Sequence, residues 1–452
     1  MRKFMFIVLL AATAATLAVP TVAADDDGKI TWSAQIRSRF EAVENYFDLQ
    51  DSTTSGDIND DEFSFWPYRV VVGMNAQVTE GVTAQVQVQS FGHFGSEHPV
   101  KSSASPPDQS ADTGDPLGFA DVNLYTASIE MSKVGGSNFS VALGRMEHTY
   151  GTELFLGDND FYNGTSFDGL RAWWSGENWR VDGFYHKTFE GNLSSAQGFS
   201  APGFFVNGGS EDENLWGFTF DWNFDKKWGT FGAYLLSEQS LDFDEKLDTY
   251  GARWTRMANV EESHFDWNIE AAFQSGDFGD PIFGSPALDL SGDVIEGWFG
   301  YSFKHGDSSS RVHVGYWNSS GDDQATTNED EGFSSLFGDF HANNRLGDSD
   351  WEDTLWGGPS DIEDISLGYA WNGGKHMFGV AYHMFTWNEA ASYGSPEDDI
   401  GDEIDVNYNY RMNDNLSFGV LVASWSPGKV WDGPGFSADS IARYVAQTEI
   451  RW

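Results

Sequence analysis

Arginines and carboxylates recur at alternate positions of segments whose intervening residues are apolar. Arg37, Arg39, Arg69, Arg145, Arg171, Arg180, Arg253 and Arg411 are read onto the polar face of their segments, with Glu41, Glu147, Asp182, Asp266, Glu270 and Asp405. Such groups on one wall make and break no bonds. Opposed guanidinium and carboxylate rows set up a transverse field that orients a polar solute without trapping it. The same charges could instead pair across strands and stiffen the wall. Segment 148–165, with Gly157-Asp158-Asn159-Asp160 at its centre, is long enough to fold inward. Arg145, Glu147, Asp168 and Arg171 would then sit at a constriction; the other reading is a solvated external loop.

Catalytic spacings are absent. The chain has no G-x-S-x-G, no H-E-x-x-H and no P-loop. His148, beside Glu147, reads as a wall residue. With no cysteine there are no disulfides or thiolate metal sites, and no cofactor is implied. Pro396-Glu397-Asp398-Asp399, followed by Asp402 and Glu403, is the best candidate for a divalent cation, because hard cations take clustered carboxylate oxygens. The run lacks the D-x-[DN]-x-[DN]-G spacing of an EF-hand.

These residues ride on strands. Leu170, Ala172 and Trp174 alternate with Gly169, Arg171 and Trp173, and Trp179, Val181, Gly183 and Tyr185 alternate with Arg180, Asp182, Phe184 and His186. Period two means strand. The same pattern predicts eighteen strands, near 30–42, 66–78, 82–92, 120–132, 138–147, 166–175, 178–190, 213–224, 228–238, 246–258, 264–275, 293–305, 309–318, 362–371, 374–387, 401–412, 416–426 and 441–452. Connections after odd strands are long and those after even strands short, such as 79–81, 176–177 and 413–415. Asn372-Gly373 is a type I′ hairpin signal, and Gly176 is expected to supply a positive φ in its turn. A soluble sandwich has no reason to sort its loops by parity. An up-and-down barrel threaded from one side of a membrane does, with short periplasmic turns and long acidic external loops. Gln85, Gln87 and Gln89 suit a wet lumen. The last strand alternates to an aromatic end at Trp452.

Bulk properties agree. Arg2 and Lys3, an apolar run over 4–19 and the small-residue site Val22-Ala23-Ala24 predict a signal peptide over 1–24, leaving 25–452 as one barrel domain. The formal charge is −45, which disfavours nucleic acid as a partner. An aromatic content of 16% argues against an acidic disordered chain.

Several blocks resemble the alginate export family: RSRFE at 37–41, GRMEHTYG at 144–151, Gly157, Asn163, SFDGLR at 166–171 and VDGFYHK at 181–187. YGARW at 250–254, EAAFQSGD at 270–277, SSGD at 319–322, GDEIDVNYNYRM at 401–412 and ASWSPG at 423–428 follow in order. The resemblance implies an eighteen-stranded barrel in the bacterial outer membrane that conducts solute, with arginines at its constriction. This chain departs from the pattern at Leu154 and Thr165, where the family tends to carry arginine. Segment 319–361 holds eleven acidic residues against Arg345 alone. A passive channel for neutral saccharides, cations or small mixed-charge solutes is therefore expected ahead of alginate. An exopolysaccharide export pore, or a structural barrel sheathing a partner, are the alternatives.

Overall fold

The structure is a computed structural model. It describes residues 29–45, 63–94, 122–160, 162–189, 213–225, 227–240, 245–258, 263–279, 288–339, 345–349, 359–392, 394–432 and 439–452. The expected signal peptide lies outside these residues, as does most of connections 43–65, 93–119 and 191–212.

Among the described residues one sheet of 20 strands forms. Two of them, Phe63–Phe65 and Glu329–Asp330, are short. The other eighteen build the wall. They are β1 (Ile30–Glu44), β2 (Pro67–Thr79), β3 (Val82–His93), β4 (Val122–Met131), β5 (Phe139–Met146), β6 (Phe167–Ser175), β7 (Trp179–Phe189), β8 (Glu213–Asp225) and β9 (Gly229–Ser240). The second half comprises β10 (Glu245–Arg256), β11 (His264–Phe278), β12 (Leu288–His305), β13 (Ser308–Ser319), β14 (Ile362–Gly373), β15 (His376–Trp387), β16 (Asp399–Asn413), β17 (Leu416–Pro427) and β18 (Ile441–Arg451).

Each strand pairs antiparallel with the next. β1 pairs with β2 from Ile30↔Ala76 to Ser38↔Tyr68 and with β18 from Gln35↔Arg451 to Glu44↔Ala442. The sheet therefore closes on itself and leaves no edge to be capped. The parity of the connections places every short turn at one end and every long loop at the other.

The outer face is apolar. Val72, Leu143, Leu170, Ile269, Phe273 and Leu367 are all exposed there, as a wall standing in lipid requires. Trp174, Trp222 and Trp254 ring the short-turn end, and Tyr185, Tyr316, Tyr382 and Tyr444 ring the long-loop end. Amphipathic aromatic rings favour these two levels of a bilayer.

The buried core sits inside the cylinder, near the long-loop end. Leu154, Phe155 and Leu156 of the β5–β6 loop are buried against inward-facing Phe184, Leu215, Leu236 and Val294, with Phe333 and Leu346 of the β13–β14 loop. Backbone bonds tie the two loops: Phe337 N donates to Phe155 O at 3.2 Å and Gly157 N to Phe337 O at 2.8 Å. The β5–β6 loop thus folds inward.

The structure corrects several expectations. Gly373 pairs with His376, so the β14–β15 turn is Gly374-Lys375, with Gly374 at φ 62°. Asn372 and Gly373 both stay in the ladder, pairing with Met377 and His376 before the chain reverses. Gly176 does not adopt a positive φ. A Cβ there would stand 2.2 Å from Trp179 Nε1, so any side chain would have to displace the indole. Arg145 and Asp168, expected at the constriction, lie on the outer face. Arg145 shares its parity with Leu143 and Asp168 with Leu170, and the two are paired in the ladder. They form a forked ion pair, Nε to Oδ1 at 2.9 Å and Nη2 to Oδ2 at 2.5 Å. Each lies one residue from its strand end, where a charge costs only about 0–1 kcal/mol toward lipid. In β4 the pairing slips between Val88↔Leu124 and Gln87↔Thr126. The extra residue is Tyr125, and both Tyr125 and Thr126 turn inward and are buried.

Candidate functional site

The lumen is lined by the inward parity of the strands and crossed by the β5–β6 loop. One side of it is cationic. Arg37 and Arg39 of β1, Arg69 of β2 and Arg443 of β18 are all buried and face the loop. Arg37 donates to the carbonyls of Asp160 and Tyr162, the latter at 3.0 Å. Arg69 reaches Asp160 Oδ2 at 3.4 Å and Gln89 Oε1 at 3.1 Å, and lies 5.1 Å from the Tyr125 ring centroid. Arg39 binds Gln447 Oε1 at 2.8 Å and Glu41 at 3.4 Å. Glu41, fully buried, accepts from Arg443 and from Tyr162, each at 2.8 Å. The loop approaches this wall so closely that a Cβ on Gly164 would stand 2.2 Å from Arg69 Nη2. Glu147 lies just past β5 and accepts from Tyr125 Oη.

At β6 and β7, Arg171 grips Asp182 with two bonds of 2.9 and 2.8 Å, and Arg180 meets the same carboxylate at 2.7 Å. Trp173 lies under both guanidinium groups. His148 Nδ1 and His186 Nε2 are 2.8 Å apart, with both rings buried. Burial first, then Arg171, hold the His148 imidazole well below the usual histidine range. A neutral donor–acceptor pair follows.

The rest of the wall, from β8 to β16, gathers carboxylates. Arg253 pairs with Asp221 at 2.7 Å and lies 4.8 Å from the Tyr150 ring centroid. Glu270 accepts from Tyr234 at 2.9 Å, and the Thr152 hydroxyl lies 3.1 Å from Glu270 and 2.6 Å from Glu296. Glu296 is also bound by Arg345, whose Nη2 donates to Thr152 O at 2.7 Å. Arg311 forks onto Asp266 and reaches His313 Nδ1 at 3.1 Å. Asp364, Glu403 and Asp405 are almost fully buried on the inner faces of β14 and β16. Arg311, His313, Arg345, Asp364, His383 and Asn407 line a cavity of 320 Å³ on this side.

Of the residues expected at the pore, Arg37, Arg39, Arg69, Arg171, Arg253, Glu270 and Asp405 face the lumen. Arg411 is exposed near the short-turn end, remote from the loops. Sequence reasoning missed Arg345 and Glu296. Their signals were a lone Arg in an acidic loop and a Glu at an otherwise inward apolar position.

The acidic run does not assemble as expected. Glu397 is exposed and lies 3.9 Å from Lys429, while Asp402 hydrogen-bonds Tyr382 on the outer face. Alternation sends Asp402 away from Glu403, and among the described residues Glu397, Asp398 and Asp399 join no convergent set. Among the described residues, carboxylate oxygens converge instead at Glu153, Asp158 and Asp339 and at Asp322, Asp323 and Glu331. Burial, then the neighbouring acid, pushes the Glu153 and Asp158 carboxyls up.

Asp361, just before β14, joins three long-loop segments. Its Oδ1 accepts from Glu389 N at 2.9 Å, and its amide donates to Ser320 O at 3.1 Å. Burial pushes its carboxyl from 3.8 to about 6. A raised acid binds more protons folded than unfolded, so its contribution is present below 3.8 and is lost as pH rises through about 6. The thermal midpoint of wild type relative to Asp361→Asn is therefore expected to fall across that window. A pH-independent difference between the two proteins refutes this.

A family model described as alginate export matches residues 34–354. No curated protein matches the chain. Among solved structures, Pseudomonas aeruginosa OccK9 (OpdG) is similar at TM-score 0.57 and 13% identity, covering 94% of this chain and 98% of that one. The outer membrane protein OpdK from Pseudomonas aeruginosa is similar at TM-score 0.55 and 10% identity, covering 93% and 99%. Pseudomonas aeruginosa OccK2 (OpdF), solved in complex with glucuronate, is similar at TM-score 0.54 and 10% identity, covering 93% and 97%. At such identities the likeness is one of fold.

Proposed function

The chain belongs to the alginate export family of outer-membrane barrels, and from that premise we propose that it is a passive channel for small polar, neutral or cationic solutes. Residues 1–24 act as the export leader of a barrel formed by 25–452. The long loops face outward from the cell and the short turns face the periplasm. The observation that carries the solute class is the acidic side of the lumen, where Asp266, Glu296, Asp364, Glu403 and Asp405 outnumber Arg311 and Arg345. A fixed excess of carboxylates raises the local cation concentration and repels a polyanion. The glucuronate in the OccK2 complex is a small sugar acid: its size supports the small-solute class, while its negative charge favours the second reading below.

A second reading is export of an alginate-like polysaccharide, favoured by the family match and by the buried arginine row at β18, β1 and β2. Planar-bilayer recordings in a salt gradient separate the two readings. Cation preference is expected here; anion preference supports the exporter; a barrel without conductance overturns both. Arg171→Ala is expected to raise cation selectivity, because it frees Asp182 from one of its two guanidinium partners. Unchanged reversal potentials would remove Arg171 from the conducting path.

A further inference from the structure

His383 of β15 is held in a way the transport reading does not use. Its ring is 1% exposed, and its Nδ1 lies 2.8 Å from Asp364 Oδ2 on β14, so the carboxylate fixes Nδ1 as the protonated nitrogen. Asp364 is itself steadied by Met384 N at 3.2 Å. The ring's other nitrogen, Nε2, has no hydrogen-bond partner among the described residues. It faces Asp405 Oδ2 of β16 across 3.7 Å, too far for a hydrogen bond. Glu403, one inward position along β16, accepts from Asp348 N at 2.7 Å, Ser349 N at 2.9 Å and Ser349 Oγ at 2.6 Å, and hydrogen-bonds Asp405.

We propose that His383 Nε2 and Asp405 Oδ2 are the two protein ligands of a divalent transition-metal cation of the zinc class, the proton that Asp405 shares with Glu403 leaving to solvent as the ion binds. Three features carry the assignment. First, bonds of about 2.0–2.2 Å meeting at an angle between tetrahedral and trigonal separate two ligand atoms by about 3.4–3.7 Å, the separation seen here. Second, a metal-bound histidine characteristically donates its other ring N–H to a carboxylate, the role Asp364 plays. Third, imidazole with carboxylate selects zinc, nickel or copper over calcium or magnesium, which prefer oxygen alone. Asp364 and His383 line the cavity, which gives the ion a path in and leaves its other positions to water or solute. Because Glu403 anchors Asp348 and Ser349, an ion here also ties the β13–β14 loop to the wall. The site stands whatever solute the lumen conducts.

The test uses the full barrel in detergent, stripped with EDTA and titrated with Zn²⁺ against a chromophoric chelator. One ion per barrel is expected, with excess Mg²⁺ failing to displace it. His383→Gln and Asp405→Asn are expected to abolish uptake, and Asp364→Asn to weaken it about 10–100-fold. Heat-modifiable gel migration reports that each variant is folded. X-ray absorption on the loaded wild type needs no variant and should show one imidazole in the first shell. Absence of stoichiometric uptake, uptake retained by folded His383→Gln, or a spectrum without imidazole overturns the proposal. A proton shared between Asp405 and Glu403 would then account for the cluster.

Discussion

Replacing Leu154 and Leu156 together by alanine is expected to raise single-channel conductance several-fold while leaving the barrel folded. Both side chains are 1% exposed and pack inside the cylinder against Phe184, Leu215 and Leu236. Each buried Leu→Ala change costs about 2–5 kcal/mol. That loss falls on the docking of the loop, because the wall is held independently by continuous ladders from β1 around to β18. Few proteins have more than about 5–15 kcal/mol to lose globally, and a docked loop has less, so two such changes should populate the undocked loop. Recordings should show larger and noisier unitary currents, with unchanged heat-modifiable migration. Wild-type conductance from a folded double variant would mean that the β5–β6 loop does not limit the path.

Glu41→Ala should have the largest effect on stability and on ion selectivity together. Glu41 is fully buried and joins Arg39 on its own strand, Arg443 on the closing strand and Tyr162 on the loop. Removing one partner of a buried ion pair costs about 3–5 kcal/mol, since the remaining charge stays desolvated. Here two guanidinium groups lose a counter-ion, so the thermal midpoint should drop and reversal potentials should move toward anions. Glu41→Gln keeps an acceptor for Tyr162 without the charge. It should restore part of the stability and none of the selectivity. Equal reversal potentials in all three proteins would exclude this cluster from the conducting path.

The barrel was legible because period-two alternation and connection length are both local properties of the chain. β2, β3 and β14–β18 follow from them to within a few residues. The face of a particular charge was less legible. Arg145 and Asp168 satisfy each other on the outer wall, so neither needs the lumen, and a lone charge in a strand does not announce whether a partner lies alongside it. The slip at Tyr125 was hidden for a related reason. A bulge reverses the parity of everything on one side of it, and nothing in VNLYTASIEM marks the extra residue. The inward fold of the β5–β6 loop had a visible signal in Leu154-Phe155-Leu156, an apolar run inside a polar connection. Its anchors did not. Thr152 and Tyr162 are ordinary loop residues until Glu296 and Glu41 are placed opposite them. The misplaced Asn372-Gly373 turn shows two adjacent glycines competing, with Gly374 winning because it allows the longer ladder.

The meeting of β1 and β18 bears on how the molecule is made. Arg443 and Glu41 lie 402 residues apart in the chain and face each other across the closing seam. An intermediate still lacking its final hairpin carries Glu41 beside Arg39 without that second guanidinium, along an open row of amides on β1. Joining β18 to β1 is therefore the step that both pairs those amides and neutralises that seam.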